Sequence, residues 1–222
     1  MEGEPKKEMY DLLPKELYPP TFNVIPGEDI ADIRKKLSEN GIVYPFIVKP
    51  EIGGQGVLLR KIASEADLQH YHNIMQWEYI VQQLSHYPLE VSVFYIRHPK
   101  AATGTVTGFL QKIPLCVTGD GKQTLASLIQ QQPKAEKRIE ELYNKHLERW
   151  SDIIPAGEKY MLSYAANHNR GAQFVDLKNH INEELVQVFD KISLRINDFF
   201  YGRYYTLSLH DALPTSEERR VG

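Results

Sequence analysis

The chain has 222 residues, a net charge of −3 and 42 % apolar residues, which fits one large domain or two small lobes with a real core and excludes global disorder. The acidic balance gives no case for nucleic-acid binding, which normally needs a basic face, and the single cysteine, Cys116, excludes an internal disulfide framework and fits a reducing cytoplasm. No apolar run reaches the ~18 residues of a membrane span and no signal-peptide pattern opens the chain, so no membrane partner is expected.

Residues 1–19 are charged and proline-punctuated and read as a lead-in segment, with Lys6 and Lys7 adjacent in Gly3–Lys7. Thr21–Ile25 reads as a short strand. Asp29–Asn40 reads as a helix with Ile30, Ile33 and Leu37 on one face and Gly41 as its stop. Phe46-Ile47-Val48 is an apolar run ending on Lys49-Pro50. After it come Gly53-Gly54-Gln55-Gly56 and a second apolar run, Val57-Leu58-Leu59. Two strands joined by a glycine-rich loop make a hairpin. Glycines let backbone N–H groups turn toward a ligand, a concavity suited to phosphate oxygens, and Lys49 can place an ammonium beside it. The loop is not a Walker loop, since no Gly-Lys-Ser/Thr follows, nor a dinucleotide fingerprint, since a strand rather than a helix comes next.

Ser64 and Asp67 form a capping pair for a second helix with Leu68, Tyr71 and Met75 inward; His70 and His72, two apart, read as surface histidines. Strands follow at Glu78–Leu84, Leu89–Ile96 and Gly104–Lys112. Thr118-Gly119-Asp120-Gly121 is a tight turn whose Asp120 is a turn residue or a metal ligand. Thr124 caps a helix through Ile129. Lys134–Trp150 reads as one amphipathic helix, with Ile139, Leu142, Tyr143, His146, Leu147 and Trp150 on a stripe, and Tyr160–Tyr164 as a strand. Asn167–Ala172 is dense in amide, imidazole and guanidinium groups that are costly to bury without partners. His180–Phe200 reads as the longest helix.

Taken together, IVKPEIGGQG, IVQQLSHYPLEVSVFY, VTGDGKQTL, NHNRGAQF and YGRY, in that order, resemble the ATP-grasp superfamily, on its D-alanine–D-alanine ligase and cyanophycin synthetase side, from about Pro20 to Tyr204. The resemblance implies an α+β fold of two lobes with mainly antiparallel sheets, a nucleotide cleft between them and an incomplete C-terminus. It divides the chain into a lead-in (1–19), a small lobe with the glycine-rich hairpin (20–84), a large lobe (85–204) and a non-native tail (205–222), and it implies a domain missing before Met1. It also implies an ATP-binding module of a carboxylate–amine ligase working through an acyl phosphate. The alternatives are a nucleotide-binding module without catalysis and a fragment without activity.

By the same resemblance, Lys49, Gly53, Gly54, Gln55, Gly56 and Lys112 face the nucleotide phosphates, with Arg97 a further candidate. The backbone at Gln82, Gln83 and Leu84 takes adenine, and Glu90 takes the ribose hydroxyls. Asn169 and Arg170 line the pocket of a small-molecule carboxylate, which an amine then attacks. Arg203 and Lys112 carry the catalysis, Arg203 on the acyl-phosphate side, and Lys6 or Lys7 matches a nucleotide-facing lysine. ATP and magnesium are the implied cofactors, but Tyr205 stands where the family has a magnesium-binding aspartate, and the strand with its other metal ligands is missing. A homo-oligomer is compatible with this reading.

The C-terminal stretch has its own signature. Ser216–Gly222 can be encoded by TCG GAA GAG CGT CGT GTA GGG, whose reverse complement, shifted in frame, encodes the end of Ser208 through the first base of Thr215. An inverted repeat resembling a sequencing-library adapter marks Tyr205–Gly222 as an assembly artefact, with at most Tyr205–Leu207 continuing the Arg203 strand. Deleting Asp211–Gly222 should change unfolding free energy by under ~0.5 kcal/mol in urea denaturation; a loss of several kcal/mol would make the tail part of the fold.

Overall fold

The computed structural model describes residues 5–54, 56–85 and 89–208, with side chains through Tyr205. Gln55, expected at the phosphates, and the tail from Asp211 lie outside the described residues. The chain divides into two compact units: Met1–Gln111 with the chain from Phe174 onward, and Lys112–Gln173.

In the first unit, one antiparallel sheet has the order β1-β4-β2-β3, from β1 (Thr21–Val24), β2 (Phe46–Pro50), β3 (Arg60–Ile62) and β4 (Tyr79–Gln83). Strand alternation gives it two unlike faces. Phe22, Val24, Phe46, Val48, Ile62, Tyr79 and Val81 are buried in one core with Ile33 and Leu37 of α2 (Ile30–Glu39) and with Leu68 and Tyr71 of α3 (Glu65–Ile74). The register Thr21↔Gln82, Ile47↔Gln82 and Lys49↔Ile80 sends Thr21, Gln82, Ile47 and Lys49 to the other face. Both helices start where side chains satisfy free N–H groups: Asp29 accepts from the Ala31 N–H, and Ser64 and Asp67 close a full capping box.

Two local expectations change. Val57–Leu59 is not a strand. It is a pair of tight turns, Val57 N–H to Gly54 O at 3.2 Å and Leu59 N–H to Gly56 O at 3.3 Å, with Leu58 at a φ of 56°. A positive φ cannot belong to a strand, so pairing resumes only at Val48↔Arg60. His72 is buried rather than at the surface, at 8 % exposure. Its Nε2 lies 2.9 Å from Glu28 O and its Nδ1 3.0 Å from the Tyr79 hydroxyl. A carbonyl only accepts, so Nε2 donates to Glu28 O, and in that tautomer Nδ1 accepts a hydrogen bond from the Tyr79 hydroxyl.

The second sheet has the order β10-β5-β6-β9, from β5 (Leu89–Ile96), β6 (Thr105–Ile113), β9 (Gln173–Asp176) and β10 (Tyr201–Ser208). Leu89, Val91, Val93 and Tyr95 pack with Phe109 against Phe189 of α6 (Glu183–Ser193). This helix is shorter than expected. Past its C-cap Leu194 the chain reaches Asp198 at a φ of 53°, a left-handed position that aspartate tolerates and a helix does not. Arg97, a candidate for the phosphates, is structural: its Nη1 and Nη2 donate to Ala101 O at 3.4 Å and Phe199 O at 3.2 Å, and its guanidinium lies over the Phe200 ring.

The second unit holds β7 (Cys116–Thr118) paired with β8 (Lys159–Met161), α4 (Leu125–Gln130) and α5 (Ile139–His146) around Leu115, Leu125, Ile129, Leu142, Ile154 and Leu162. The helix expected over Lys134–Trp150 is α5 flanked by two 3₁₀ turns. The backbone leaves helical angles at Arg138 and His146, and the His146 ring bonds the Tyr160 hydroxyl and Leu162 O, each at 3.1 Å. Asp120 is a turn residue. Its Oδ1 accepts the N–H groups of Gln123 and Lys122, each at 2.8 Å, and these bonds with the Gln123 side chain hold its carboxyl down at about 2.

Because His72 satisfies a buried hydroxyl and a loop carbonyl at once, His72→Phe keeps the volume but strands both partners. The expected loss is about 1–3 kcal/mol of unfolding free energy in urea titrations with an unchanged slope; a change below ~0.5 kcal/mol would mean that these bonds are replaced by water.

Candidate nucleotide-binding site

The face of the first sheet opposite α2 and α3 carries Lys49. Its ammonium donates to the Tyr10 hydroxyl at 2.8 Å and to Gln82 Oε1 at 3.1 Å, and it lies 5.2 Å from the centroid of the Tyr10 ring. Both acceptors are neutral, so they orient the charge without cancelling it, and one of three N–H donors stays uncommitted among the described residues. Gln82 is fixed from its other end, donating to Thr21 Oγ1 at 2.9 Å. Tyr10 belongs to α1 (Lys6–Asp11), the helix of the lead-in segment.

Two residues, Glu51 and Ile52, separate Lys49-Pro50 from the glycine loop. Gly53 at a φ of 127° and Gly56 at 68° take backbone angles that side chains oppose, which is why the turn needs glycine there. Beneath the loop, Lys6 donates to three carbonyls, Pro50 O at 2.9 Å, Glu51 O at 2.8 Å and Gly53 O at 2.8 Å. Burial first, and the Lys49 ammonium second, lower the Lys6 pKa, while Glu51 raises it. Glu51 is buried at 5 % exposure, and its Oε1 accepts the Lys7 N–H at 2.8 Å. Between the two candidates of the lead-in, then, Lys6 reaches the loop, whereas the Lys7 ammonium pairs with Asp11. Tyr10 and Glu51 were not legible as site residues: an isolated tyrosine and a glutamate beside a glycine loop carry no signal until α1 is packed on β2.

The other expected residues fall elsewhere. Gln83 braces the chain before β2, accepting the Val43 N–H at 2.8 Å and donating to Pro45 O at 3.3 Å. Leu84 follows β4 and is half-buried. In the second sheet the register Leu207↔Glu90 and Arg203↔Phe94 puts Glu90 and Arg203 on the face opposite α6. They stand about 13 Å apart along the strands, four residues at ~3.3 Å each. Arg203 is exposed, 5.7 Å from the Phe94 ring centroid, with Nη1 3.3 Å from the Tyr205 hydroxyl. On the α6 side of this sheet an apolar cavity of about 240 Å³ lies among Leu13, Leu17, Val91, Phe109, Leu185 and Phe189.

In the second unit, Lys112 is buried at the end of β6 and is partnered, as a buried ammonium must be. Arg170 pairs with Glu141 inside the same unit, and Asn169 is exposed on a 3₁₀ turn. Magnesium does not fit the described residues. Among them, no three His, Cys, Asp or Glu side chains converge, and Tyr205, where the resemblance implies a ligand carboxylate, is a phenol exposed at 63 %.

No protein-family model and no curated protein sequence matches the chain. Solved structures do. A D-alanine–D-alanine ligase from Bacillus anthracis is similar at a TM-score of 0.52 and 14 % identity, over 95 % of this chain and 54 % of that one. The D-cycloserine synthetase DcsG is similar at a TM-score of 0.50 and 14 % identity, over 95 % of this chain and 59 % of that one. The chain thus spans little more than half the length of either neighbour. At such identities the likeness speaks for the backbone alone, and the backbone it identifies, helices with two four-stranded sheets, is the ATP-grasp fold.

Proposed function

We propose that this chain is the ATP-binding module of a carboxylate–amine ligase that works through an acyl phosphate. The observation that carries the reading is Lys49, a half-buried ammonium aimed by two neutral acceptors beside a loop that glycine alone can form. Phosphoryl transfer needs little covalent chemistry from a protein. Its barrier is set by charge on the transferring group, which preorganised cations and amides stabilise. In this reading Lys49 and the amides of Gly53, Gly54, Gln55 and Gly56 meet the polyphosphate, and Lys112 adds a second ammonium. The Gln82–Leu84 backbone takes adenine and Glu90 the ribose. Arg203 offsets the charge of the acyl phosphate on a small-molecule carboxylate, Asn169 and Arg170 hold that carboxylate, and an amine then displaces phosphate. Magnesium would screen the phosphates in an ATP-dependent ligase, but the described residues offer it no fitting donor set.

That misfit favours a second reading, a nucleotide-binding module without catalysis. It keeps the roles of Lys49, the glycine loop and Glu90 and drops that of Arg203. Turnover of ATP to ADP in the presence of mixed carboxylates and amines separates the two.

Two substitutions test the shared part. Lys49→Ala should weaken binding of a non-hydrolysable ATP analogue by about tenfold or more, as for loss of a charged hydrogen bond, while costing under ~1.5 kcal/mol of stability. Equal affinity by calorimetry would remove Lys49 from the site. Glu90→Ala should weaken ATP more than inorganic triphosphate, because only ATP carries a ribose; parallel losses would assign Glu90 to the fold or the phosphates.

A further inference from the structure

Lys6 makes a contact that the nucleotide reading leaves unused. Its ammonium spends all three donors on the carbonyls of Pro50, Glu51 and Gly53, at 2.8–2.9 Å. Nothing remains on it to offer a phosphate. Its effect runs through the peptide planes instead. In a trans peptide the C=O of one residue and the N–H of the next point in opposite directions, and the one cis bond among the described residues is Tyr44-Pro45. Drawing Glu51 O and Gly53 O onto the ammonium therefore turns the N–H groups of Ile52 and Gly54 away from Lys6. Among the described residues neither N–H donates a hydrogen bond, whereas the Glu51 N–H is consumed by Glu78 O at 2.9 Å. Ile52 is 40 % exposed, Gly54 is exposed, and a Cβ built on Gly54 would meet nothing within 4 Å. Two amides that donate to nothing among the described residues thus flank Gly53, an arrangement that suits an anion.

We propose that Lys6 is a positioning residue: a cation held under the glycine loop that sets the Ile52 and Gly54 amides for a polyphosphate without touching it. The proposal rests on the nucleotide-binding reading for its ligand but not for its geometry. It separates the two lysines by task, since Lys49 keeps a donor for the ligand and Lys6 has none. It also gives the lowered Lys6 pKa a consequence: a Lys6 that lost its proton would have two donors for three carbonyls.

The test uses the full chain with Lys6→Ala, which empties the cage, and Lys6→Met, which keeps the stem in case the smaller side chain unsettles α1. Backbone amide resonances of Ile52 and Gly54 are recorded without nucleotide, and triphosphate affinity is measured by calorimetry. Both variants should shift the two resonances and weaken triphosphate binding by about tenfold or more, the worth of two amide bonds to an anion. In Lys6→Ala, methylammonium, which has three N–H donors, should restore resonances and affinity together. Tetramethylammonium, which has none, should restore neither. Unmoved Ile52 and Gly54 resonances in both variants overturn the proposal, and so does weakened affinity that methylammonium leaves unrepaired while the resonances return. If the wild type binds no triphosphate, the nucleotide reading falls, and the resonances with methylammonium still decide whether Lys6 sets the loop.

Discussion

The site depends on the alternation of β2. A strand turns successive side chains to opposite faces, so once Phe46 and Val48 enter the helix-covered core, Ile47 and Lys49 have no choice of side. A slip of one residue would bury the Lys49 ammonium among Ile33, Leu68 and Tyr79. The cost of an unpaired charge there far exceeds anything gained by burying Ile47. The core therefore fixes the register, and the register fixes where the cation stands. Gln82 and Thr21 follow from the same rule, because antiparallel partners across β2, β4 and β1 share a face.

On that face α1 organises polar groups rather than apolar ones. No residue of α1 is fully buried. What ties it down is polar: the Lys6 ammonium to three carbonyls, the Lys7 N–H to Glu51, and the Tyr10 hydroxyl to Lys49. Lys6 and Lys49 repel one another, and the buried Glu51 side chain offsets part of that repulsion at Lys6. The buried Glu51 Oε2 has no hydrogen-bond partner among the described residues, so this carboxylate is retained at a desolvation cost, and its neighbouring cations are what make that tolerable.

Much of the fold was legible because it rests on local rules. The strand at Thr21–Val24, the helix after Asp29 and the Ser64–Asp67 box come from alternation, periodicity and caps that a short window contains. The failures are of another kind. Val57–Leu59 has a strand's composition, but the turns set by Gly54 and Gly56 outrank it. His72 looks like any helix-surface histidine until Tyr79 of the next strand and the Glu28 carbonyl, 44 residues away, close on it. The break at His146 has the same origin, a ring drawn to Tyr160 and Leu162. In the site, Lys49 and the glycines were readable as a pattern. The choice of Lys6 over Lys7 was not, since it depends on which face α1 presents to β2.

The path of the chain around the second unit has an evolutionary consequence. It leaves the second sheet on β6 and re-enters it on β9, and those two strands are direct neighbours. An excursion whose ends are already held one strand spacing apart loses little closure entropy however long it grows, because that cost rises only with the logarithm of length. The host sheet therefore sets almost no limit on what is inserted between Gln111 and Phe174. With its own core of Leu125, Ile129, Ile154 and Leu162, the inserted unit can drift, lengthen or be exchanged while the strands that carry Glu90 and Arg203 keep their register. Diversity among proteins of this architecture should accumulate at that doorway sooner than in the lysine strand or the glycine loop.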